Sequence, residues 1–176
     1  MGWIESGQAW GDRAADWAYL WEPYARRAND ALFDRAGVGS GTRLLDIACG
    51  SGYAASVAAG RGATVAGLDA SEALIAIARA RTPGGDFRVG DMFALPFEDD
   101  CFDVATSFNG IWKGCEDALR EARRVVRPGG LVGVHFLGLA QAAWPAAVLR
   151  GATGTVAAWP CRCHPQSGRY RMAWGG

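Results

Sequence analysis

Residues 43–53 read R-L-L-D-I-A-C-G-S-G-Y, and this stretch decides the fold. Leu44, Leu45 and Ile47 form a short apolar strand that carries one acid, Asp46. Ala48, Gly50 and Gly52 then place small residues at every second position, and residues 53–59 are good helix material. Strand, small-residue turn and helix start together make room for a nucleotide-like ligand. Glycine lets the backbone come close, and the free N–H groups of the helix start face the ligand. Taken alone the loop is ambiguous, because G-S-G-Y-A-A at 50–55 also fits the dinucleotide pattern G-x-G-x-x-A.

The chain has 176 residues, half of them hydrophobic, so a single domain with a real core is expected. Acids and bases balance at 18 each, which points to neither a nucleic-acid nor a membrane partner. The distribution is uneven: from Ala122 to the end there are seven arginines and no acid. No charged and apolar leader opens the chain and no apolar run approaches membrane-span length, so a cytoplasmic protein is expected. The five cysteines, Cys49, Cys101, Cys115, Cys161 and Cys163, follow no disulfide framework. Cys161, Cys163 and His164 resemble half of a zinc site, but a closed site needs a second pair that the chain lacks, so no metal is expected.

Residues 1–40 are rich in aromatics and predict an N-terminal helical cap or lid, with helices near 7–19 and 23–36. Trp10, Ala14, Trp17 and Trp21 share one face of a helix if Pro23 ends it. Strands are expected at 43–48, 64–69, 87–89, 102–107 and 131–137. Helices at 53–59, 71–81 and 116–127 alternate with them, the second opening on Ser71 as N-cap and the last stopped by Pro128-Gly129-Gly130. Repeated β–α units with near-continuous apolar strands mean an α/β, doubly wound, mostly parallel sheet covered on both faces. Ligands bind such sheets outside the carboxyl ends of the strands, where Asp69, Asp91, Phe108 and Asn109 fall. Asp69, 17 residues after Gly52, suits a ribose, or caps the helix that follows. Asp91 suits an adenine amino group with Met92 on the ring, or caps a turn.

The blocks L-L-D-I-A-C-G-S-G, G-L-D-A-S, V-G-D-M-F-A-L-P-F, F-D-V-A-T-S-F-N and A-L-R-E-A-R-R-V-V-R-P-G-G-L run in order from Thr42 to Leu137. In this order and spacing the chain resembles the class I S-adenosylmethionine-dependent methyltransferases, in particular the small-molecule type related to the quinone-biosynthesis enzymes. The resemblance implies a Rossmann-like sheet of order 3-2-1-4-5 in a core over 41–150, S-adenosylmethionine as cofactor and a small-molecule acceptor. It implies that Asp46, Ala48, Gly50 and Gly52 line the methionine part, and that Asp69 holds the ribose with Ala70 beside it. Asp91 and Met92 would hold adenine, and Phe108 would lie close to the sulfonium. Asn109, Trp112 and Tyr24 would face the acceptor. Ala48 stands where that family usually has glycine. A NAD-dependent oxidoreductase fits the glycine loop alone, and a cofactor-binding but catalytically incomplete fragment is the other alternative. No general base is evident; His135 reads as a packed or substrate-lining residue, and Trp112 and Lys113, which follow strand four, as residues that border the substrate or pack on the surface.

The resemblance fades after strand five. Residues 139–149 read as a helix, and 151–176 as an irregular basic tail whose composition favours out-of-frame translation over a native segment. A sheet truncated there lacks the family's last two strands and leaves strand five as an exposed edge, a site for homodimer pairing.

Overall fold

The computed structural model describes residues 2–112 and 114–135, together with the backbone of 146–150 and 155–159. Its helices are α1 (Trp3–Gly11), α2 (Ala14–Asp16), α3 (Arg26–Ala36), α4 (Tyr53–Gly60), α5 (Glu72–Arg81) and α6 (Glu116–Val125). The strands are β1 (Arg43–Ile47), β2 (Thr64–Asp69), β3 (Asp86–Val89), β4 (Phe102–Phe108), β5 (Val126–His135), β6 (Ala146–Arg150) and β7 (Thr155–Trp159). The sheet order is β3-β2-β1-β4-β5-β6-β7. The first five strands run parallel, so the expected order 3-2-1-4-5 and the doubly wound architecture hold.

β1 and β4 are central and apolar because helices cover both faces. Leu45, Ile47, Ala105 and Val132 pack with Ala118, Ala122 and Val125 of α6 on one side. Leu44 and Val104 pack with Leu32 and Phe33 of α3, Ala55 and Ala58 of α4 and Ile75 of α5 on the other. Below the sheet, Asp103 accepts from the Arg43 backbone N–H at 2.8 Å and from Arg127 Nε at 2.6 Å, tying the starts of β1, β4 and β5. Ser71 caps α5 as expected, its hydroxyl accepting from the Leu74 N–H at 3.3 Å.

Four expectations need correction. First, the N-terminal aromatic stripe does not lie on one continuous helix. Helix α1 ends at Gly11, and residues 17–21 widen into a π-helical turn followed by a 3₁₀ turn over Glu22–Ala25. Pro23 sits in that 3₁₀ turn, where its missing N–H costs nothing, so it does not end the run. The tryptophans still meet across the break: Trp10 and Trp17 pack edge-on at 5.1 Å and line one surface hollow with Trp21, while Ala14 is buried.

Second, Pro128-Gly129-Gly130 does not separate helix from strand. It forms a bulge inside β5, with Gly129 at φ 79° and the pairing jumping from Phe102–Val126 to Val104–Leu131. Third, residues 146–149 are strand, not helix, and part of the expected irregular tail is β7. β6 pairs antiparallel with β5, and β7 with β6. Two strands therefore extend the sheet expected to lack them.

The fourth correction follows from the third. β6 takes up the N–H and C=O groups along β5, so the open edge on which a homodimer was expected is paired. Residues 139–145, Lys113, Cys161, Cys163 and His164 lie outside the described residues.

Gly67 in β2 is closely packed: an added Cβ would stand 2.7 Å from the Phe87 ring and 2.9 Å from Cys49 Sγ. A Gly67→Val substitution is expected to lower stability by about 1–3 kcal/mol through overpacking, read as a reduced urea midpoint.

Candidate functional site at the carboxyl end of the sheet

β1 ends beneath a loop whose residues alternate through the left-handed region: Ala48 at φ 55°, Gly50 at 56° and Gly52 at 71°. Glycine adopts this freely; alanine at Ala48 pays roughly 1 kcal/mol or more. The loop delivers the chain into α4 and leaves a narrow cleft open to solvent. Asp46, Ala48, Cys49, Gly50, Tyr53 and Ala54 form its floor, Phe108 and Asn109 one wall, and Trp17, Trp21, Glu22, Ala25 and Asn29 of the cap the other.

Asp46 is fully buried and accepts one hydrogen bond, from Thr106 Oγ1 at 2.9 Å. Burial pushes its carboxyl up to about 7, against the Thr106 bond and with the help of Glu22 and Asp69. Asp69 sits on the far side of the loop, its oxygens accepting from the Gly50 N–H and the Ser71 N–H, both at 2.9 Å. Burial raises its carboxyl despite these backbone bonds.

Phe108 meets Phe33 edge-on at 5.7 Å and the His135 ring at 6.0 Å. His135 is buried, which lowers its pKa, and its Nδ1 has no hydrogen-bond partner among the described residues.

The cap is anchored to the loop by residues the sequence did not single out. Glu22 accepts from the Ser51 N–H at 2.9 Å and from the Ser51 hydroxyl. Arg81 Nη1 donates to Glu22 at 3.0 Å, to the Ser51 carbonyl at 2.9 Å and to Ser51 Oγ at 2.6 Å. Glu22 and Ser51 are buried, and Arg81 also stacks over Tyr53 at 5.5 Å. These three residues lie 59 positions apart end to end, so no local pattern could have joined them.

Of the residues expected at the site, Asp46, Ala48, Gly50, Phe108 and Asn109 come together in the cleft. Gly52 stands behind it as the N-cap of α4, against Ala78. Ala70 presents its carbonyl to Gly7 of α1, and an added Cβ at Gly7 would stand 2.1 Å from that oxygen. Asp91 caps its own turn through the Phe93 N–H at 2.9 Å, and Met92 packs against the core. Tyr24, 79% exposed, touches Trp21 rather than the cleft, and Trp112 is half-exposed. Trp17 and Trp21, aromatics of the expected lid, do line the cleft.

The "Methyltransferase domain" family model matches residues 45–134, just over half of the chain. The chain belongs to the methyltransferase-domain family. It is 38% identical over 107 residues to the demethylmenaquinone methyltransferase of Renibacterium salmoninarum, covering 60% of this chain and 45% of that one. A Mycolicibacterium smegmatis protein named "Probable S-adenosylmethionine-dependent methyltransferase" is 37% identical over 113 residues, covering 62% and 44%. The chain thus spans about half the length of the curated relatives it matches. Among solved structures, the [4+2]-cyclase SpnF superposes with a TM-score of 0.64 at 28% identity, over 76% of this chain and 60% of SpnF.

Two outcomes follow from the loop. Ala48→Gly relieves a left-handed alanine (about 1–2 kcal/mol) against a larger unfolded-state entropy (about 0.4–1 kcal/mol), so the variant should be more stable by about 0.5 kcal/mol in urea titration. Glu22→Gln removes the anion shared by Ser51 and Arg81. Stability should fall by about 2 kcal/mol, with faster amide exchange at Ser51 and across residues 14–25.

Proposed function

We propose that this chain is the cofactor-binding core of an S-adenosylmethionine-dependent methyltransferase acting on a small molecule. The observation that carries the reading is the cleft: a glycine-lined floor over a buried carboxylate, walled by Phe108 and two tryptophans. A Cβ at Gly50 would stand 2.6 Å from Glu22 Oε1 and 3.0 Å from Trp17 Nε1, so the cap closes over this loop only because Gly50 bears no side chain. Family membership and the S-adenosylmethionine-dependent relative favour the same reading.

When bound, S-adenosylmethionine supplies a methyl group activated on a cationic sulfonium. The chain's part is to bind, orient and keep water out. Asp46, once ionised, offers a countercharge to a cation in the cleft, Glu22 being already paired with Arg81, and Phe108 turns an aromatic ring toward the same space. Trp17 and Trp21 close it on the cap side, which favours assigning residues 1–40 as a lid on a core over 41–150. In this reading Asp46, Ala48, Gly50 and Gly52 hold the methionine part, Asp69 and Ala70 the ribose, Asp91 and Met92 the adenine. Asn109 and Trp112 face the acceptor, a small molecule rather than nucleic acid, and Tyr24, turned away from the cleft, takes no part in holding it. No helix among the described residues is long and apolar enough to cross a membrane, and we place the protein in the cytoplasm.

Titration calorimetry with S-adenosylhomocysteine, with NAD as control, tests the reading. Micromolar binding of the first alone is expected, and binding of NAD instead would reverse the assignment. The charge of Asp46 adds a pH signature. In the free protein its carboxyl keeps a proton up to about pH 7, and a cation in the cleft favours the carboxylate, so binding releases a proton. Affinity for S-adenosylmethionine should therefore rise from pH 5.5 to 7 in the native protein, and rise less in Asp46→Asn.

A further inference from the structure

Asn29 lies in the fourth position of α3, one turn before Phe33, on the face that packs against the sheet. It is 1% exposed, and neither its Nδ2 nor its Oδ1 finds a hydrogen-bond partner among the described residues. Both atoms belong to a side chain that lines the cleft beside Asp46, Ala48 and Phe108.

A buried amide with both ends unsatisfied destabilises the fold, and leucine would fill the same space without that cost. The residue type therefore points to a ligand that satisfies it. The ligand group must offer a donor and an acceptor together, because the amide has one of each open. An α-amino acid does so: its ammonium can donate to Oδ1, and its carboxylate can accept from Nδ2. Asp46, with the Thr106 hydroxyl as its hydrogen-bond partner, supplies a countercharge for the ammonium in the same cleft.

The direction of the ligand agrees. Asp69, assigned to the ribose, is held on the other side of the glycine loop by the Gly50 and Ser71 N–H groups and does not line the cap wall. The end of the ligand that faces Asn29 is then the end remote from the ribose.

We infer that Asn29 is a cofactor-binding residue contributed by the N-terminal cap, holding the amino-acid end of S-adenosylmethionine; this rests on the reading of the cleft proposed above.

Two ligands separate the contributions: S-adenosylhomocysteine, and 5′-methylthioadenosine, which keeps the adenosine thioether but lacks the amino-acid end. In Asn29→Leu, calorimetry should show S-adenosylhomocysteine binding weakened at least tenfold and 5′-methylthioadenosine changed less than twofold. The unliganded variant should melt no lower than the native protein, because an orphaned amide has been removed. Asn29→Asp, which keeps the shape but replaces the donor with a charge, should show the same selective loss and stands in if the leucine variant does not fold.

Unchanged S-adenosylhomocysteine affinity, or equal weakening of both ligands, would overturn the role of Asn29 while leaving the cofactor reading intact. A marked drop in melting temperature of both variants without selective loss would make Asn29 a structural residue. If the folded native protein binds neither ligand, the cofactor reading itself fails and takes the inference with it.

Discussion

The structure depends on one close approach. The loop after β1 is squeezed from two sides, and only small residues survive there. On the cap side, Glu22 and Trp17 come to within contact of Gly50; on the sheet side, Ala78 of α5 stands 2.8 Å from where a Cβ of Gly52 would lie. The loop can therefore carry the chain from β1 into α4 only by passing through left-handed backbone, which glycine adopts at no steric cost. Lengthening any of these side chains would push apart the cap, the sheet and α5 together. The cleft lies beside these contacts, so the constraint that fixes the packing also borders the candidate site.

Electrostatics around this loop are uneven in a consistent direction. Asp46, Asp69 and Glu22 converge on the carboxyl end of the sheet, and the latter two add to burial in raising the cost of ionising Asp46. Arg81 offsets part of this charge, but it is committed to Glu22 and Ser51. What remains is a buried carboxylate whose hydrogen-bond partner is the Thr106 hydroxyl, a group poised to gain from a cation. SpnF shares the fold and is named a cyclase; fold alone does not set the chemistry, and the case for methyl transfer rests on this charge arrangement and on family membership.

The sheet itself was legible from local pattern. The first four parallel strands were placed to within a residue at either end, because apolar runs bounded by glycine and proline are signals within a short window, whereas β5 begins at Val126, earlier than the expected 131. The errors share a cause in non-local pairing. Pro128-Gly129-Gly130 resembles a stop signal, yet β4 offers it a partner and it becomes a bulge. Residues 146–149 have helical composition, yet the open edge of β5 draws them into a strand. The tryptophan stripe presumed an unbroken helix, which the break after Gly11 and the π-helical turn do not provide.

At the site the division is sharper. By itself the sequence determined the glycine loop, the acids Asp46 and Asp69 and the wall residue Phe108. Each belongs to a β–α unit whose end must lie at the carboxyl edge of a parallel sheet. Only the tertiary structure decided that Glu22 and Arg81 clamp Ser51, that Asn29 turns an unsatisfied amide into the cleft, and that Tyr24 points away from it. These depend on how the cap docks on the sheet. That docking is set by contacts between residues tens of positions apart, and no periodicity within either segment encodes them.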